Sequence, residues 1–164
     1  MRHLCALLSL GLLFRPALVN AQAASFTPVV ALKEIARLGP DSAFALLYAD
    51  SVRWHTLTAR LERGDTTWYR VADALTPKYS WSAEGMEWLD ESRIRGLASN
   101  PSALFSYFSS RGWGAEQIAK TFCVEAGQDT TFIPHAIAAV KRVAIAPLQA
   151  VREECLRNLQ ALPH

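Results

Sequence analysis

The chain reads as all-α, a compact bundle or short array of about seven to eight short helices stapled by one disulfide. Three observations point there. Apolar residues recur at helical spacing in short segments, each bounded by residues that start or stop helices. No stretch sustains the period-two alternation with β-branched residues that a half-buried strand requires. Once the N-terminal leader is set aside, Cys123 and Cys155 remain, which allows one intramolecular pairing.

The elements follow in order. Thr27-Pro28 offers an N-cap and a proline in the first turn, so Val29 to Leu38 reads as a helix with Leu32, Ile35 and Ala36 at helical spacing. Gly39-Pro40 stops it, and Asp41 can cap a second helix over Ser42 to Tyr48. Ser51 to Arg63 carries Trp54, Leu57 and Leu61 at i, i+3, i+7 and ends at Gly64. Asp65 restarts the chain, and Trp68, Val71 and Leu75 repeat the spacing until Pro77. These two helices predict an antiparallel hairpin, with Trp54 packed on Trp68 across it.

Ser82 opens Ala83 to Ala98, where Met86, Leu89, Arg93 and Leu97 share a face. Asn100-Pro101 caps Ser102 to Ser110, and Gly112-Trp113-Gly114 breaks that helix. Ala115 to Val124 follows with Ile118 and Phe122 at i, i+4. Beyond the polar crossing Glu125 to Thr131, Pro134 or His135 starts a helix over Ala136 to Ile145. Pro147 begins the last helix, whose Leu148, Val151, Cys155 and Leu159 line one face.

The leader bounds the compartment. Arg2 and His3 precede an apolar run, Leu4 to Phe14, well short of the roughly 20 residues that span a bilayer. Ala21-Gln22-Ala23 then matches the small-x-small pattern of a signal-peptide cleavage site. Cleavage is placed after Ala23, with Ala21 the next choice, leaving 24–164 as a single helical domain. The expected location is the periplasm or the secreted space, with no stable membrane insertion once the leader is gone. Loss of Arg2 and Arg15 reduces 17 basic residues to 15, against 15 acidic ones. That balance, without a clustered basic face, argues against a nucleic-acid partner.

Cysteine and histidine chemistry is sparse. A Cys123–Cys155 bridge in an oxidising compartment would close a loop worth roughly 3–4 kcal/mol in the chain-entropy model. Neither cysteine belongs to a C-x-x-C pair, so a structural bridge is expected rather than a redox or nucleophilic thiol, and His135 is left without a thiol to activate. His55, His135 and His164 lack zinc-ligand spacing, and neither metal nor cofactor is expected.

Two surface features carry functional readings. Glu84, Glu87 and Glu91, with Asp90 beside them, place several carboxylates on one helical face. Paired carboxylates are what glycoside hydrolysis uses, while a solvated acidic face with Arg93 and Arg95 as partners is the simpler reading. Glu91-Ser92 with Ala98-Ser99 looks like the opening of the lytic transglycosylase motif. That family separates its Ala and Ser by one residue and continues Gly-Leu-Met-Gln. Here "NPSALFSYF" follows, and no catalytic residue is carried over. Trp113 between two glycines, Trp81 and Trp88 are the candidate partner contacts, since aromatics outside the core anchor interfaces.

The order of features also carries a resemblance. Trp54, Gly64-Asp65, Trp68, Asn100-Pro101, Cys123, Phe132-Ile133-Pro134 and Cys155-Leu156 together resemble a group of small secreted proteins of Gram-negative bacteria. That group is helical, carries a signal peptide and a cysteine pair, and has no assigned activity. The resemblance implies a helical, exported protein and names no active-site residue. The leading expectation is a protein that acts by binding another macromolecule, such as an envelope or secreted protein, with the enzyme question left open. The alternative is a cell-wall glycan or peptide hydrolase using carboxylates of the Glu84–Glu91 helix.

Overall fold

The computed structural model describes residues 26–75, 83–128 and 131–162. The leader with its Ala23 cleavage point, Trp81 and His164 lie outside the described residues. The remainder is helical throughout: α1 (Pro28–Leu38), α2 (Pro40–Ala49), α3 (Ser51–Glu62), α4 (Thr66–Leu75), α5 (Ala83–Ser99), α6 (Pro101–Ser110), α7 (Ala115–Ala119), α8 (Ile133–Lys141) and α9 (Gln149–Ala161). A wide π-helical turn, Lys120–Val124, and a 3₁₀ turn, Glu125–Gln128, connect α7 towards α8. A second 3₁₀ turn, Ala146–Leu148, leads into α9. No strand occurs among the described residues, and no helix there is long and apolar enough to cross a membrane.

Local chemistry sets most boundaries. The Thr27 hydroxyl accepts from the Val30 amide, the Asp50 carboxylate from the Arg53 amide and the Asn100 carbonyl from the Ala103 amide. Each satisfies an amide that the helix itself leaves unpaired, an arrangement worth about 1 kcal/mol. Several boundaries differ from expectation. The expected helix Ala115 to Val124 is α-helical only to Ala119 and continues as the π-helical turn. Pro147 lies in a 3₁₀ turn ahead of α9 rather than beginning that helix. Gly39, not Asp41, is the N-cap of α2, so Asp41 sits inside the first turn behind Pro40. Helix α8 starts at Ile133 and stops at Lys141, four residues before Ile145. Val143 is buried beyond the helix end, and Arg152 Nη1 donates to its carbonyl at 3.1 Å, which draws the chain out of the helical path.

Helix α5 organises the packing. Its buried stripe of Gly85, Leu89, Ser92, Gly96 and Leu97 lies chiefly on α3, and it also packs on α8 and α6. The expected α3–α4 hairpin is present but minor, because α3 makes its main contact with α5. Gly96 permits that approach: a Cβ there would lie 2.8 Å from the Leu61 carbonyl and 2.5 Å from the Tyr69 hydroxyl. Trp54 and Trp68 are both buried, yet they do not pair. Trp54 packs edge-on against Phe44 and Tyr48, and Trp68 meets Phe26, over whose ring the Arg53 guanidinium also lies. Arg53 also pairs with Glu34 of α1.

At the other end, α9 lies on α7, the π-helical turn and α8. Cys123 and Cys155 are fully buried and joined by a disulfide, so the π-helical turn is fastened to α9. The core runs continuously from Phe26 to Leu159 and includes the whole expected α9 face, Leu148, Val151, Cys155 and Leu159.

Candidate binding groove

Burial of one stripe of α5 leaves the opposite arc facing solvent. Glu87, Asp90, Glu91, Ile94 and Arg95 occupy that arc at successive i, i+3 and i+4 steps. Residues from a distant part of the chain complete a groove beside it. The π-helical turn buries Phe122 and Cys123, and the 3₁₀ turn that follows brings Glu125 and Ala126 opposite α5. Phe132, half-buried at the N-cap of α8, supplies the aromatic wall. The groove encloses about 590 Å³.

Its carboxylates are not equivalent. Glu91 accepts from Arg95 at 2.7 Å, one turn along the helix. Asp90 accepts from Arg93 at 2.9 Å. Glu87 and Glu125 have no ion-pair or hydrogen-bond partner among the described residues. Glu84, the remaining member of the sequence cluster, is not among the groove's lining residues and lies near the Tyr48 hydroxyl. The pKa of that hydroxyl is raised by partial burial first, then by the charge and hydrogen bond of Glu84. Three of the four carboxylates read from the sequence thus share the groove, joined by Glu125.

The aromatic candidates separate. Trp88 is 45% exposed on α5, one turn from both Glu84 and Glu91, and so adjoins the groove. Trp113 is half-buried, with its ring against Phe108 and Phe122, where it closes the core between α6 and the π-helical turn. His55 and His135 are exposed, and the oxidised Cys123 has no thiol to offer His135. Among the described residues no set of three or more His, Cys, Asp or Glu side chains is arranged to hold a metal.

A second polar constellation lies behind the groove. Arg93, 9% exposed, bridges Asp90 to Asp73 of α4, where Nη2 donates at 3.0 Å. The other Asp73 oxygen accepts from the Tyr107 hydroxyl of α6 at 2.6 Å and faces Arg111 at 3.6 Å. Burial, then the hydrogen bond and charge of Asp73, push the Tyr107 pKa up to about 12. The network joins α4, α5 and α6 and fixes Arg93, hence Asp90, on the groove side. The sequence reading missed it, although Asp73 between buried Ala72 and Leu75 is the kind of misplaced acid that signals a buried partner.

Compared with known proteins, the chain matches no family model, no curated protein and no solved structure.

Proposed function

We propose that the protein acts by binding another macromolecule, and that the groove between α5 and the residues Glu125, Ala126 and Phe132 is the docking site. One observation carries this reading: the groove combines two unpartnered carboxylates with an apolar lining of Ile94, Ala126 and Phe132, beside the exposed Trp88. A charged rim around an apolar centre with an aromatic anchor is the composition of an interface rather than of a solvated face. The buried disulfide supports an oxidising compartment, periplasmic or secreted, for this activity. A photo-crosslinking residue at position 88, introduced in cells that make the protein, is expected to give a macromolecular adduct. The same residue at exposed Ser106 of α6, away from the groove, should not give it. No adduct at position 88, or the same adduct at both positions, sinks the reading.

A hydrolase is the second reading, favoured by the fact that Glu87, Asp90 and Glu91 line a concave surface with an aromatic wall. It ranks below binding because a general acid needs a carboxyl group kept protonated by burial or a like charge. Asp90 and Glu91 instead have side chains 57% and 59% exposed and each faces an arginine. Release of fragments from purified cell-wall material, abolished by Glu87→Gln, would replace the binding reading with this one.

A further inference from the structure

We infer that the groove docks a second copy of this same chain, through the loop that ends α8. This rests on the groove being a macromolecular docking site and names its occupant. The argument is one of complementarity between two surfaces of the molecule. The groove lining carries four carboxylates against the single Arg95, around Ile94 and Phe132. At the far end of α8 the chain presents Lys141 and Arg142, both exposed and without a partner among the described residues. Beside them stands Ile145, 47% exposed. Two cations beside an aliphatic side chain are the counterpart of two free carboxylates around an apolar lining.

The loop is built to hold that shape. Val143 is buried beneath it, and the Arg152 guanidinium holds the Val143 carbonyl at 3.1 Å. The amides of Arg142 and Val143 donate back to Ala139 and Val140, and the Leu148 amide donates to Ile145. An exposed isoleucine on a loop tied at four points presents an apolar contact with little ordering left to do, which favours association.

The chain cannot occupy its own groove. Phe132 and Lys141 flank α8 at opposite ends, about 13 Å apart along a rigid helix. Loop and groove therefore meet only between molecules, head to tail. Such a heterologous contact leaves a free groove and a free loop at the two ends, so it propagates beyond a dimer unless the ring closes.

Sedimentation of the purified protein from about 1 µM to about 1 mM, a span that covers weak to moderate affinities, tests this. Average mass is expected to rise with concentration past that of a dimer, and the rise should weaken with added salt. Glu87→Lys with Glu125→Lys destroys the groove and spares the loop, whereas Lys141→Glu with Arg142→Glu does the reverse. Each double variant, folded by circular dichroism, should weaken association by roughly a hundredfold through like-charge contact. Mixed one to one, the two should associate again, because the intact loop of one fits the intact groove of the other and the reversed charges of the altered loop and altered groove also attract.

A wild-type chain that stays monomeric throughout overturns the inference. So does association unchanged by either double variant, or a mixture that remains monomeric. A synthetic Val-Lys-Arg-Val-Ala-Ile-Ala peptide bound by a monomeric chain would also overturn it, while leaving the groove as a site for another protein's basic segment. The binding reading itself is tested separately, by the crosslink at position 88 and by fragment release from cell-wall material, so the two failures are told apart.

Discussion

Tyr107 keeps its proton because its hydroxyl is buried and already donates to the Asp73 carboxylate, and both effects penalise a phenolate. The consequence for stability has a definite sign. An unfolded tyrosine ionises near pH 10, whereas Tyr107 in the folded protein does so at about 12. Below pH 10 both states hold the proton, so this group leaves stability independent of pH. Between 10 and 12 the unfolded chain releases a proton that the folded chain retains, so stability falls as pH rises. Tyr69, whose pKa burial also raises, acts in the same direction. Tyr107→Phe should cost about 0.5–1.5 kcal/mol at neutral pH for the lost hydrogen bond. Asp73 keeps Arg93 and Arg111 in that variant, which limits the damage. The gap between wild type and variant should then narrow above pH 10, as seen in urea midpoints measured from roughly pH 8 to 11.5. A gap that stays constant or widens would show that Tyr107 carries no alkaline sensitivity.

At the level of elements, the approach of α5 to α3 depends on one missing side chain. Gly96 lies against the Leu61 carbonyl, and a backbone oxygen cannot give way as the end of a flexible side chain can. Gly96→Ala should therefore destabilise by about 1–3 kcal/mol, even though alanine is the better helix former. Gly114→Ala, where an added Cβ meets nothing within 4 Å, should stay within about 0.5 kcal/mol of wild type. Equal urea midpoints for the two variants would remove Gly96 from this role. The same site shows why some elements were legible in the sequence and others were not. Caps act within three residues, so Thr27, Asp50 and Asn100 mark their helices directly. The choice of α5 over α4 as the partner of α3 turns on a glycine more than 30 residues away, and no local pattern records it. Helix α8 was read too long for a similar reason, since the guanidinium that ends it comes from α9. Half of the groove was visible as the carboxylate face of α5; its other wall, Glu125 and Phe132, exists only after the chain has folded back.

For the molecule as a whole, the disulfide links stability to the groove. Its two cysteines are 32 residues apart, and the loop between them contains the 3₁₀ turn, the polar crossing and all of α8. Cross-linking a loop of that length removes unfolded-state freedom worth roughly 3–4 kcal/mol in the chain-entropy model. The bridge also sits immediately before the groove wall, because Glu125 and Ala126 follow Cys123 within three residues. On the far side, the bridge is held by the α9 core stripe of Val151 and Leu159. Removing it should therefore act twice. Cys123→Ala with Cys155→Ala is expected to lower unfolding free energy by about 2–5 kcal/mol in urea titrations, much of a small domain's total. Under native conditions, amides of the π-helical turn and of Glu125 and Ala126 should exchange hydrogen faster, whereas those around Leu57 and Leu89 should change less, because the bridge fastens the π-helical turn to α9 while α3 packs chiefly on α5. Uniform acceleration across the chain would mean that the disulfide stabilises the fold only globally. An unchanged urea midpoint would mean that packing of α9 on α7 and α8 already supplies what the bridge was thought to add.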